Sequence, residues 1–295
     1  MTMIFGKPLV LLYAQLTLGL FNGAFYALLS LGLAIILGKL NIVNFAHGAL
    51  FMLGAVVAWA LLEYAGLGYW WALVIAPLVV GALGVVLEKL FISRLYKLDH
   101  LYGLLLTFGL ALIIKGLARN RLGSSGVPYA PPHELTGPLN LGFMVLPFYR
   151  AWVIAAACVV CLGTWLVIEK TSLGATLRAA TENAPLVQAF GVNVPRMITL
   201  TYGAGVALAA FGGVLAAPIY SVNPNMGSAL IIIVFAVVVI GGMGSILGSI
   251  ITGLGLGIIE GLTKVYYPQG SATVVFVVMV IVLLARPAGL FGRTA

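Results

Sequence analysis

Long apolar runs follow one another from Leu9 to Leu284 with few charges inside them, and nothing else in the chain restricts its fold so strongly. About 20 apolar residues cross the hydrocarbon core of a bilayer as a helix, and every backbone polar group in lipid must find its partner within the span. Segments 9–37, 45–63, 70–92, 101–118, 151–168, 197–220, 229–241, 246–262 and 272–285 are therefore predicted as helices. The residue-by-residue alternation of a membrane barrel strand is absent. Only 7% of the 295 residues are charged, against ~25% in a soluble domain. The expected fold class is all-α: a polytopic membrane protein with about 8 to 9 transmembrane helices in one domain over residues 1–295. The start, Met1 to Lys7, leads into an apolar run longer than a signal-peptide core, so it is read as part of a retained first span.

The net charge of +8 is scattered between the apolar runs, which fits membrane topology and anionic lipid and not nucleic acid. Cys158 and Cys161 lie inside an apolar run without a nearby His, and read as packing residues in preference to a redox or zinc site. Aromatic residues mark span edges at Tyr64 to Trp71, at Tyr149 and Trp152, and at Tyr266 and Tyr267.

Two long polar stretches stand on either side of one span. Arg119 to Arg150 is rich in Pro and Gly, and Glu169 to Arg196 reads as a short helix between turns. Placing 169–196 in the cytoplasm puts nine of the 15 Lys and Arg on that side, a positive-inside bias that makes 119–150 the periplasmic loop. The N-terminus then lies outside, against which Lys7 counts. The same orientation requires residues 229–262 to leave and return on one side, with the turn at GGMGS. Gly241, Gly242, Gly244 and Ser245 there read either as a hinge between two short helices near membrane depth or as a kink for packing. Gly253, Gly257 and Gly261 recur every fourth residue and predict a close helix seam.

The polar islands supply the candidate site residues. In NIVNFAHG, Asn44 is placed to cap the second helix; Asn41, Asn44 and His47 are also placed to line a hydrated vestibule. Asn22, Tyr26 and Ser30 form a stripe along the first span that serves either as interhelical glue or as pathway lining. Val43 to Gly48 is faintly echoed by Val222 to Gly227, which adds Asn223 and Asn225 as pathway candidates. In the topology above the two islands fall on opposite faces, as inverted repeats or coincidence would place them.

No chemistry of energy conversion is visible. Gly6-Lys7 and Gly38-Lys39 lack the remaining letters of an ATP-binding loop. Glu260 with Lys264, Glu88 beside Lys89, and Lys115 near a helix end read as snorkelling or paired interfacial residues. A mid-depth carboxylate relay and a nucleophile with its base are both missing, so an enzyme is not expected.

The stretch LGATLRAATENAPLVQAFGVNVPR, Leu173 to Arg196, opens as an amphipathic helix over about Ala175 to Ala184, ends near Pro185 and turns at Gly191. It resembles the coupling loop by which ABC importer permeases dock onto their ATPase subunits. RAATEN followed by FGV is similar to the loop of the branched-chain amino acid permeases of the LivH type. NFAHG, SVNPNMG, GGMGSILGSIITG and ARPAGLFG stand in that family's order and spacing along nearly the whole chain. The resemblance implies a type II importer fold shortened at its N-terminus, in a bacterial cytoplasmic membrane. It implies a second homologous permease, two cytoplasmic ATPase subunits that hold ATP and Mg, and a periplasmic or extracellular solute-binding protein. No cofactor is implied in this chain itself. Gly174, Arg178, Ala179, Glu182, Asn183 and Gly191 match the docking motif, although Arg178 and Glu182 also stand at the spacing of a plain surface pair. The implied solute is a branched-chain or related amino acid; related permeases carry urea, amides or carboxylates. An ion-coupled secondary transporter or channel that works alone is the alternative from another class.

Overall fold

The computed structural model describes all residues except 1, 2, 5, 6, 41–43, 97 and 293–295, so expectations resting on Asn41, Lys97 and Arg293 lie outside the described residues. The helices are α1 (Leu9–Leu40), α2 (His47–Ala65), α3 (Tyr69–Leu90), α4 (His100–Leu122), α5 (Phe148–Lys170), α6 (Ser172–Glu182), α7 (Ala184–Ala189), α8 (Val194–Tyr220), α9 (Met226–Gly241), α10 (Ile246–Tyr266) and α11 (Val274–Ala285). Among the described residues seven helices are long and apolar enough to cross a membrane, while α9 and α11 are shorter. The nine predicted apolar segments thus all form helices, seven of them at crossing length. We call the end of the bundle bearing residues 123–147 the upper end, and the end bearing α6 and α7 the lower end.

Helix boundaries follow local chemistry. Asp99, Asn193 and Ser245 start α4, α8 and α10 by accepting backbone N–H groups of Leu101, Arg196 and Gly248, which removes orphan donors that lipid would leave unpaired. At the end of α2, Gly66 adopts φ 64°, where a side chain would be strained.

The central element is α1, whose apolar window is 89% buried. It packs against α10, α8, α5 and α9. Gly253, Gly257 and Gly261 of α10 lie directly on the backbone of α1 at Ala27, Gly23, Gly19 and Gln15, so an added Cβ at any of the three would strike main-chain atoms. This is the seam expected from their spacing. Ser30 adds polar contact, its hydroxyl lying 3.3 Å from the Ser249 carbonyl.

The turn between α9 and α10 is packed at the lower end, and only one of its two helices is short. Gly242 and Gly244 take φ 97° and 85°. Gly244 sits on Gly38 near the end of α1, and Gly242 on Gly292. The C-terminal segment clamps the turn, with Leu290 N–H donating to Ile240 O (2.8 Å) and Phe291 N–H to Gly241 O (3.2 Å).

At the upper end, Val127 pairs with Val222 in an antiparallel bridge, joining the 123–147 segment to the end of α8. The Tyr149 hydroxyl lies 3.0 Å from Leu215 O and 3.1 Å from the Tyr69 hydroxyl, to which Trp152 Nε1–H also donates. The predicted edge aromatics therefore tie α3, α5 and α8 together.

Candidate functional site

Most of the candidate residues fall in two regions, with the α1 stripe apart from both. The first is a polar junction inside the bundle. After α1 reaches the lower end, the chain returns so that α2 begins beside Leu29, eleven residues from the end of α1 and about 17 Å along its axis. His47 Nε2–H donates to Leu29 O (3.1 Å), and its Nδ1 is a buried nitrogen without a partner. Asn44 Nδ2 donates to the Tyr202 hydroxyl (2.8 Å) on α8, while its Oδ1 accepts from Ala46 N–H (3.0 Å). Asn44 therefore closes the turn ahead of α2, and Ala46 holds the cap position that the sequence suggested for Asn44. Asn44 and His47 are 1% and 0% exposed and packed between helices, and Asn44 also borders a small cavity with Leu33, Phe45, Ile231 and Phe235.

The two echoed islands come in from opposite ends of the bundle, Val222 from the upper end and Asn44 after the chain turns at the lower end, and meet at their glycines. Gly48 and Gly227 touch backbone to backbone, and a Cβ on either would collide with the other's carbonyl. From that contact α2 runs to the upper end and α9 to the lower end. The opposite approach is the one the sequence suggested, while the meeting of Gly48 and Gly227 inside the bundle was not foreseen. Asn223 is half-buried and Asn225 exposed; Asn223 Oδ1 accepts from Asn225 N–H (3.0 Å) and forms the turn into α9.

The stripe on α1 lies elsewhere. Tyr26 OH donates to Glu260 Oε2 (2.7 Å), and Lys264 Nζ pairs with Glu260 Oε1 (2.6 Å). Asn22 is half-buried and Ser30 fully buried. Tyr26 and Ser30 thus join α1 to α10. Glu88, in the last turn of α3, is 1% exposed and paired, with the Tyr96 hydroxyl donating to its Oε1. Lys115 is half-buried and lies 3.5 Å from Ser228 Oγ.

The second region is the lower-end loop. It forms two helices where one was expected, since Asn183 Oδ1 accepts from Leu186 N–H and Pro185 sits in the first turn of α7. Ala180, Val187 and Val194 make a small core of their own. Gly174 lies so close to the Ile168 carbonyl that no Cβ fits. Arg178 Nη1 donates to Ile168 O (2.9 Å) and pairs with Glu169 Oε2 (3.1 Å). These contacts press α6 onto the end of α5, while Gly191 turns the chain into α8 at φ 85°. Ala179, Glu182 and Asn183 point outward.

Sequence reasoning passed over two residues here. Phe190 is 80% exposed and Leu186 53%. Two large apolar side chains exposed together on a folded loop make it a candidate contact surface. The available signal was the Phe just before Gly191, in a stretch already polar enough to lie outside the bilayer.

Crossing helices around a polar junction, with a structured loop at one end, make this a multi-pass membrane protein of the transporter class, and its relatives specify the kind. A profile described as branched-chain amino acid transport system / permease component matches residues 15–285. The chain is 31% identical over 296 residues to the high-affinity branched-chain amino acid transport system permease protein LivH of Escherichia coli, covering 95% of both chains. It is 30% identical over 292 residues to BraD of Pseudomonas aeruginosa, named in the same terms, again over 95% of each. LivM of E. coli is 27% identical over 298 residues, covering 91% of this chain and 68% of LivM. No solved structure matches. The chain belongs to the branched-chain amino acid transport permease family, and is a transport component, not an enzyme.

Proposed function

We propose that this chain is the permease subunit of an ABC importer that carries a branched-chain or related amino acid across a bacterial cytoplasmic membrane. ATP and Mg would be held by two cytoplasmic ATPase subunits, and a second homologous permease and an extracytoplasmic solute-binding protein would complete the assembly. The observation that carries this reading is the lower-end loop. It has its own core, two anchors on α5, and an outward apolar tip at Leu186 and Phe190. Similarity to both LivH and LivM supports pairing with a homologous permease, and their names support the solute class.

The geometry offers a route for coupling. Closure of the ATPases would move α6 and α7, and through Val194 the start of α8. Two turns further along, Tyr202 accepts the hydrogen bond from Asn44 ahead of α2. A shift of α8 would thereby act on the junction where α2 and α9 begin. Binding energy that differs between two arrangements of these helices is what drives alternating access. On this proposal Gly174, Arg178 and Gly191 shape the docking loop, Ala179, Glu182 and Asn183 meet the ATPase together with Phe190, and the GGMGS turn acts as a fixed support.

Co-purification tests the docking surface. Phe190→Asp combined with Leu186→Asp should release the ATPase subunits, a loss of at least about 2 kcal/mol for a central aromatic anchor, while the membrane domain still elutes as one species. Retained ATPase would remove the docking assignment. Solute flux in vesicles holding this chain alone would favour a self-sufficient transporter.

A further inference from the structure

A cavity of about 370 Å³ opens between α2, α4 and α9 at the Gly48–Gly227 contact. Its size suits a small-molecule ligand. Phe45, Met52, Leu112, Ile231 and Ile232 give it apolar walls, and Lys115 and Ser228 give it one polar edge. Lys115 lies seven residues before the end of α4, about 10 Å along its axis and one turn before Arg119. Its hydrogen-bond partner is the neutral Ser228 hydroxyl. The two ion pairs seen among the described residues, Arg178 with Glu169 and Lys264 with Glu260, do not involve it.

A half-buried lysine at the edge of a largely apolar cavity, bonded to a neutral hydroxyl and in no ion pair among the described residues, is suited to meet an anion. The surroundings deepen its preference for an anion. Gly48, Ala49, Gly227 and Ser228 belong to the first turns of two helices, and all line the same cavity. The first turns carry the positive end of each helix dipole, although the Ser228 N–H is itself held by Asn225 O (3.0 Å). The glycine contact holds both helix starts at this wall, because any side chain at 48 or 227 would force them apart.

We propose that this cavity binds the carboxylate of the transported amino acid through Lys115 and Ser228, with the solute's branched apolar side chain against Met52, Ile231 and Ile232. The proposal rests on the permease function above and names the place where that function meets its solute. The same charge would also attract the phosphate of an anionic lipid, so the test separates the two sources.

Uptake of radiolabelled L-leucine is measured in cells carrying the whole transporter with Lys115→Gln or Lys115→Arg in this chain. Lys115→Gln should lower uptake below saturation by about ten- to hundred-fold, the range for losing a hydrogen bond to a charged group, with ATPase co-purification unchanged. Lys115→Arg should retain most of it. In a Cys158→Ser, Cys161→Ser background, alkylation of Ser228→Cys should be slowed by L-leucine and not by L-leucinamide, which has no carboxylate; this readout does not depend on altering Lys115. Full leucine uptake by Lys115→Gln, or equal protection by the amide, overturns the carboxylate site while leaving the permease function standing. A wild type that takes up no leucine overturns the solute reading. Uptake by Lys115→Gln restored by added phosphatidylglycerol assigns the lysine to lipid and also overturns the proposal.

Discussion

The α1–α10 seam and the α6–α7 loop both depend on glycine, to opposite ends. In the seam, Gly253, Gly257 and Gly261 bring two long helices into main-chain contact deep in the bundle. Lipid tails offer no hydrophobic drive for helix association, so close packing must supply the cohesion. In the loop, Gly174 allows one contact with Ile168, and beyond it the segment rests on a three-residue core, a half-exposed ion pair and the Arg178 bond to Ile168 O. One region is built not to move within itself. The other is a compact piece with a small core of its own, resting on the end of α5.

The sharpest way to break this contrast is to force side chains into both. Gly257→Leu should drive α10 off α1 at Gly19 and Gly23, costing at least about 3 kcal/mol because backbone cannot yield as a side chain can. Loss of the monodisperse peak in fluorescence-detected gel filtration reads that outcome. A stable, well-behaved Gly257→Leu protein would mean that the seam is not what holds the bundle.

Gly174→Val applies the same insult to the loop, and its effect should stay local. The added Cβ meets Ile168 O, and overpacking of about 1–3 kcal/mol is expected to lift α6 from α5. Limited proteolysis between α5 and α8 should quicken several-fold while the gel-filtration profile of the membrane domain stays unchanged. If Gly174→Val lowers global stability as much as Gly257→Leu, the loop is part of the bundle's cohesion and the contrast fails.

The seam was legible because a four-residue glycine period on an apolar helix has one strong physical meaning. The loop was legible as an amphipathic segment, but its division at Asn183 was not, since Pro185 reads equally as an end or as the first turn of a new helix. What the sequence could not convey were contacts between distant segments. Asn44 reads as a helix cap until Tyr202, 158 residues away, is found to take its amide. The echoed islands read as approaching from opposite faces, but counting spans puts every polar stretch at a surface and could not show that Gly48 and Gly227 meet inside the bundle. Phe190 was passed over because an apolar residue beside an amphipathic helix is usually covered by it, and only the fold shows that it is not.

The smallest effect should separate anchoring from docking inside the loop. Arg178 and Glu169 have side chains 31% and 41% exposed, so water screens their attraction and the pair is worth no more than about 1 kcal/mol. Arg178 also donates to Ile168 O at the end of α5, where a cation meets the negative end of the helix dipole. Arg178→Ala should therefore barely shift the thermal midpoint of the detergent-solubilised protein, and Glu169→Gln should shift it less, because the bond to Ile168 O survives. If the two variants release the ATPase equally, the salt bridge itself sets the loop's pose. Release by Arg178→Ala alone would assign that task to the guanidinium on the α5 carbonyl, the contact that places Phe190 for its partner.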